Sequence, residues 1–315
     1  MADLALILCT LIWGGTFIVV KDALDDVSPV RFLTLRFLVG GALLFVLAWV
    51  EAMRRRRKAP HLQPVGDIWS ARTWRDGSQV GIALFLGFLT QTIGLVWTTP
   101  ATSAFLTGLS VGLVPVIAVL FFRQRVGGWT WAGVGAAFLG MTALTLKDRL
   151  TPGVGELVTI GTAIAFALQI LFLDRYAARS TPLSLTAVQL VIGAGLGLLC
   201  LPLDGWLAAR APEAVPVDAQ FAALPARALF AVVAMGVVAS AGCFFLQTYA
   251  QRHVPAARVG VLLALEPVFA GVFSYALYGE RFGTRGLAGM ALILAGMIVV
   301  ETLGRREQLA RTPAA

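Results

Sequence analysis

Long apolar runs alternate with short polar breaks along this chain, and ten of the runs have the length of a membrane span. They lie near 4–21, 30–53, 78–97, 101–122, 128–147, 153–174, 182–202, 227–250, 256–279 and 285–303. A hydrocarbon layer about 30 Å thick needs roughly 20 helical residues rising about 1.5 Å each. Within each run the apolar residues are continuous rather than alternating. Backbone in lipid must satisfy its own hydrogen bonds, so helices are predicted and strands are not. The first run reads as a retained span rather than a cleaved leader, because Asp3 stands where a leader carries basic residues. The predicted fold class is an all-α integral membrane protein.

The ten runs divide into five and five, and the two halves echo one another. Asp3–Phe37 slides by 153 residues onto Glu156–Leu190 without a gap. Asp3 then meets Glu156, Trp13 meets Phe166, Thr16 meets Gln169, Ser28-Pro29 meets Thr181-Pro182, and Arg36 meets Gln189. At an offset of 156, Phe88, Gln91 and Thr92 meet Phe244, Gln247 and Thr248. Arg125, Gly127, Ala132, Gly133, Gly140 and Met141 meet identical residues 156 positions on, six identities in seventeen positions. The offset grows in the long polar segments 54–77 and 203–226, both read as solvated loops, the first with a short interfacial helix around Ile68–Trp74. An odd number of spans per half reverses the entry of the second half. Two inverted five-helix repeats are therefore predicted, at 1–150 and 151–304, with a cytoplasmic tail at 305–315.

Composition agrees: 58% of residues are apolar, 13% are charged and the mean hydropathy is +0.82, whereas soluble domains carry about 25% charge. Cys9, Cys200 and Cys243 fall inside apolar runs as small hydrophobes, and His61 and His253 have no acid or thiol at ligand spacing. No metal, redox or other cofactor site is predicted. The net charge of +8 is sorted by loop. With the N-terminus inside, sixteen Lys and Arg lie on the cytoplasmic side and eight on the other, Arg36 being left within a span. The Arg54–Lys58 run is thus read as a topology anchor rather than a nucleic-acid patch, and both termini are placed in the cytoplasm.

Several short motifs follow in a fixed order: Trp13-Gly14-Gly15-Thr16 in the first span, Pro29 and Arg36 opening the second, and Leu265-Glu266-Pro267 followed by Tyr278-Gly279-Glu280-Arg281. With the ten spans and the tandem repeat, they resemble the EamA-type drug/metabolite transporters over nearly the whole chain. The first repeat departs from the pattern, with Val114-Pro115 four positions out of register with Glu266-Pro267, and Phe122-Arg123-Gln124-Arg125 in place of Gly279-Glu280-Arg281. The resemblance implies secondary transport of small organic solutes, usually export across a bacterial inner membrane, without an ATP site and without specifying one substrate.

Polar groups within lipid spans are costly, about 2.5–3.5 kcal/mol for a centred charge, and normally face a cavity or a partner. Glu266 stands at mid-span and Pro267 after it frees a carbonyl and favours a kink. Glu266 then lines a substrate cavity, binding a cationic group or a proton, or else caps backbone donors or pairs with a basic residue. Arg36 lies two turns into the second span, either binding an anion in the cavity, snorkelling outward, or pairing with Asp22, Asp25 or Asp26. Gln91, Gln169, Gln189 and Gln247 are cavity groups or interhelical glue, an amide bond between helices contributing about 0.6–2 kcal/mol. Trp13 and Phe166 are walls of a pocket or lipid-facing bulk, and Thr16 joins them as a cavity residue. Gly108, Gly112, Gly133, Gly140, Gly289 and Gly296 are read as packing surfaces. The expected partners are a small-molecule substrate, the bilayer and a proton as coupling ion. The cargo favoured is an amino acid or similar metabolite moved outward. A membrane-embedded enzyme would need paired intramembrane acids, a His cluster or a nucleophile motif, and a scaffold subunit would not need mid-span Glu266, Arg36 and four Gln.

Overall fold

The computed structural model describes residues 1–58, 66–98, 100–123, 125–145, 153–210, 224–278, 283–304 and 306–307. Among them every apolar run is helical and no strand forms. The first half comprises α1 (Ala2–Ala23), α2 (Pro29–Lys58), α3 (Ala71–Trp97), α4 (Pro100–Gly108), α5 (Ser110–Leu120) and α6 (Gly128–Thr145). The second comprises α7 (Val154–Tyr176), α8 (Pro182–Cys200), α9 (Pro202–Arg210), α10 (Ala226–Ala234), a π-helical stretch (Met235–Gly242), α11 (Cys243–Ala250), α12 (Ala256–Leu263), α13 (Glu266–Tyr278) and α14 (Thr284–Val299). Among the described residues eight helical segments are long and apolar enough to cross a membrane, with α10 through α11 forming one and α12 with the start of α13 another. The remaining two apolar runs form the α4–α5 pair and α6. Outward-facing Phe121, Leu199 and Phe230 are exposed, as on a lipid-facing surface, while Phe32, Leu33, Phe37, Leu84 and Phe85 fill the interior. This is a multi-pass membrane protein.

Polar contacts define two ends. At the first, Asp3 at the start of α1 pairs with Arg258 in α12 at 3.0 Å, and the Asp174 carboxylate accepts from the Ala256 N–H at 2.9 Å. Arg179 sits 3.7 Å from Asp76 at the start of α3. At the second end, Asp26 in the α1–α2 turn holds Arg227 at the start of α10. Glu156 at the start of α7 accepts from the Thr98 hydroxyl at 2.7 Å. So α1 begins at the first end, and α7, its counterpart at an offset of 153, begins at the second.

Two loop expectations are corrected. No separate interfacial helix forms over Ile68–Trp74. Helix α3 starts at Ala71 and runs unbroken to Trp97, because its first turns are drawn onto α8, where a Cβ on Gly77 would lie 2.6 Å from Val188 Cγ1. The second long segment likewise opens as α9, which buries Asp204, Leu207 and Ala208. Asp204 Oδ2 accepts from the Ser28 hydroxyl at 2.7 Å and from the Arg31 N–H at 2.9 Å, and Oδ1 accepts from the Val30 N–H at 2.9 Å. A carboxylate from one half thus caps the N-terminus of α2 in the other, satisfying donors that a helix start leaves free. Burial pushes the Asp204 carboxyl above its ordinary value, against the pull of these three bonds. His61, the Gly279-Glu280-Arg281 motif and most of the 305–315 tail lie outside the described residues.

The repeated glycines pack on one another across the two halves. A Cβ on Gly133 would meet the Gly296 carbonyl at 2.7 Å, one on Gly296 the Gly133 carbonyl at 2.6 Å, and one on Gly140 the Gly289 carbonyl at 2.6 Å. Helices α6 and α14 therefore cross backbone to backbone, which only residues without side chains permit.

Candidate functional site

Two helices break at the same place in the two repeats. α4 gives way to α5 at Leu109, before Ser110, and α12 gives way to α13 at Ala264-Leu265, before Glu266. Ser110 and Glu266 are 156 residues apart, the offset of the last part of the repeat. Proline does not set the first break, since Pro115 lies inside α5. Pro267 is the second residue of α13, where a missing N–H costs nothing because first-turn donors have no helical partner. Both half-helix starts face an internal cavity with a volume of about 60 Å³.

That cavity is lined from both halves. Trp13, Thr16 and Phe17 come from α1, Phe88 and Gln91 from α3, Thr107 from α4, Ser110 from α5, Phe166 and Gln169 from α7, Phe244 and Gln247 from α11, and Glu266 and Pro267 from α13. Gly14 makes the α1–α13 approach possible, as a Cβ there would lie 2.8 Å from Phe269 Cβ and 3.0 Å from the Glu266 carbonyl. The aromatic walls follow the repeat. Trp13 packs on Phe244 with centroids 5.1 Å apart, Phe88 packs on Phe166 at 5.1 Å, and Phe88 meets Phe244 at 5.8 Å between them. Applying the two offsets turns the first pair into the second. Trp13 is buried, and its indole N–H donates to the Ala239 carbonyl at 2.9 Å, inside the π-helical stretch.

The polar lining is less symmetric. Gln169 and Gln247 bond amide to amide at 3.3 Å, so they both join α7 to α11 and face the cavity. Gln91 donates to the Thr107 hydroxyl at 3.0 Å, and the Thr16 hydroxyl turns back to the Trp13 carbonyl at 2.8 Å. Glu266 is half-buried, and among the described residues its carboxylate makes no hydrogen bond or ion pair. The strut role, pairing with a basic residue, is not what the structure shows.

Of the nine residues singled out in the sequence, seven line this cavity, and Arg36 and Gln189 lie outside its lining. Gln189 is fully buried and donates to the Thr248 hydroxyl at 3.4 Å, joining α8 to α11. Arg36 neither snorkels nor meets the acidic turn: it is 2% exposed, and Asp26 is occupied by Arg227. Its Nε donates to the Ser240 hydroxyl at 2.6 Å, and its guanidinium carbon sits 4.3 Å from the centre of the Phe88 ring. The sequence reading did not place Phe88, Phe244, Thr107 or Ser110 in the site. The first two were visible as a repeat pair, and Thr107 and Ser110 only as small polar residues in an apolar run.

The family model for EamA-like transporters matches residues 1–146 and again 153–302, once over each half. The chain belongs to the EamA-like transporter family. An uncharacterized transporter of Archaeoglobus fulgidus is 30% identical over 299 residues, 95% of this chain and 85% of the relative. The uncharacterized transporter YwfM of Bacillus subtilis is 22% identical over 98% of this chain and 96% of its own. A solved structure described only as a crystal structure of a protein shares the fold, with a TM-score of 0.73 over 96% of this chain and 98% of that one at 18% identity. This EamA-family chain is accordingly a membrane transporter, and its two matched units meet at the cavity.

Proposed function

We propose that this protein is a ten-crossing secondary transporter whose two inverted five-helix halves alternate access to the central cavity, exporting small organic metabolites of the amino-acid class from a bacterial cytoplasm. The observation that carries this reading is the convergence of both broken helices and the unpartnered Glu266 on one internal space. Discontinuous helices at mid-membrane offer half-helix termini to polar cargo and hinge points for gating. At about 60 Å³ the cavity holds a handful of waters, each needing about 10–15 Å³, so cargo entry requires the half-helices to move apart. The first end, where Arg54–Lys58, Arg72, Arg75, Arg175, Arg179, Arg252 and Arg258 gather, faces the cytoplasm, with both termini on that side. Glu266 binds the cargo's amino group or takes up a proton as the chain changes state.

Counterflow into proteoliposomes with a panel of radiolabelled amino acids, amines and small carboxylates tests this directly. Saturable flux of at least one member, abolished or stripped of its pH dependence in Glu266→Gln, is expected. Absence of flux for the whole panel, or a Glu266→Gln protein indistinguishable from wild type, overturns the reading.

A further inference from the structure

Arg36 is the second unsatisfied charge at the centre of the molecule. Among the described residues its Nη2 has no hydrogen-bond partner, its one side-chain hydrogen-bond partner is the neutral Ser240 hydroxyl, and no carboxylate pairs with it. A guanidinium with five donors and no counter-ion in a lipid-embedded core is costly, and groups retained at such cost normally serve cargo or a moving partner. What stands over it now is Phe88, whose ring face partly offsets the charge by a cation–π contact at 4.3 Å. The same ring lines the central cavity. Phe88 therefore stands between an unpaired cation and the cavity that the unpaired carboxylate of Glu266 also lines.

We infer that Arg36 is the anion subsite of the transporter and Phe88 its shutter: when the cavity widens, the Phe88 ring turns aside and the guanidinium takes the carboxylate of a compact zwitterion whose ammonium group is held by Glu266. This deepens the function proposed above and rests on it. The guanidinium suits a planar carboxylate, which it grips through two parallel N–H bonds. The aromatic walls of the cavity include Trp13, Phe166 and Phe244, which favours an α-amino acid with an apolar side chain. The repeat places neutral Gln189 at the position equivalent to Arg36, so only one of the two related sites carries charge, and the cargo has one preferred orientation.

The test uses the reconstituted full chain, counterflow of radiolabelled L-leucine, and two matched competitors: isoamylamine, which lacks the carboxylate, and 4-methylvalerate, which lacks the amine. Wild type is expected to take up leucine, with each competitor inhibiting about 10- to 100-fold more weakly than unlabelled leucine, the loss of one charge-assisted bond. Arg36→Gln is expected to raise the KM for leucine by about the same factor and leave inhibition by isoamylamine unchanged, with Arg36→Lys intermediate. Phe88→Leu, which keeps the apolar volume but removes the ring face, provides a second variant should Arg36→Gln fail to fold. It is expected to shift the KM for leucine by about 2- to 10-fold, the worth of the lost ring contact, with inhibition by isoamylamine unchanged, and an unchanged KM or an equal shift in both overturns the shutter. Leucine flux with isoamylamine inhibiting as well as leucine, or a parallel loss of leucine and isoamylamine affinity in Arg36→Gln, overturns the subsite while leaving the transporter intact. Flux of other panel members without leucine overturns the apolar zwitterion, and no flux of any overturns both proposals.

Discussion

Asp204→Ala tests how one half of the chain positions the other. The carboxylate is 1% exposed and accepts three hydrogen bonds at the start of α2, from the Ser28 hydroxyl and the Val30 and Arg31 N–H groups. Loss of an N-cap costs about 0.5–2 kcal/mol. Each buried donor left without an acceptor adds about 1–3 kcal/mol where water does not reach it. Ser28 and Val30 are fully buried and Arg31 is not, so two donors bear that penalty in full, about 2–6 kcal/mol, and with the cap the total is about 2.5–8 kcal/mol. Asp204→Asn keeps one acceptor oxygen and loses the charge, and about half that loss is expected. The assay is equilibrium unfolding in mixed micelles titrated with sodium dodecyl sulfate, read by tryptophan fluorescence. Because Arg36 lies seven residues past the first residue of α2, about 10 Å along the helix, the variant is also expected to weaken leucine counterflow by raising KM more than it lowers the maximal rate. An Asp204→Ala protein within about 1 kcal/mol of wild type, or one no weaker than Asp204→Asn, would refute the capping account.

Gly140→Leu should separate α6 from α14, since even a Cβ there meets the Gly289 carbonyl at 2.6 Å. A fall in melting temperature with normal KM in the surviving protein is expected, and an unchanged melt would show that the helices do not cross so closely. Asp3→Asn removes the ion pair to Arg258, whose side chain is 10% exposed, between the starts of α1 and α12. Faster labelling of an Ala257→Cys reporter by a membrane-impermeant thiol reagent is expected, and a double-mutant cycle with Arg258→Gln should give a coupling of about 0.2–1 kcal/mol. The Arg227 guanidinium holds the Asp26 carboxyl below its ordinary value, so the stability it contributes is present above the ordinary carboxylate value and is lost as pH falls through the lowered one. Melting temperatures measured through the acid range should therefore drop more steeply in wild type than in Asp26→Asn, and parallel curves would disprove the linkage.

The sequence by itself determined the helices. Each apolar run became a helix or a broken helix because lipid leaves the backbone no other way to satisfy its donors and acceptors. The repeat was also legible, because matching faces are needed wherever the two halves pack on each other, and so Trp13 and Phe166, Phe88 and Phe244, and Gly133 and Gly289 recur at fixed offsets. Glu266 and the cavity glutamines stood out because polar groups at mid-span need an environment other than lipid, and Trp13 because it lies away from the interface where Trp usually anchors. Tertiary structure alone decided which of them share a space. Arg36 and Gln189 occupy equivalent positions in sequence, yet both are turned behind the walls, because a side chain's direction depends on how its helix rotates against neighbours distant in the chain. Nothing near Asp204 announces that it caps α2, since its three partners lie more than 170 residues away. The helix breaks belong to the same class. Pro267 suggested a kink and Pro115 stood four positions out of register with it, whereas the two breaks fall in register, before Ser110 and Glu266.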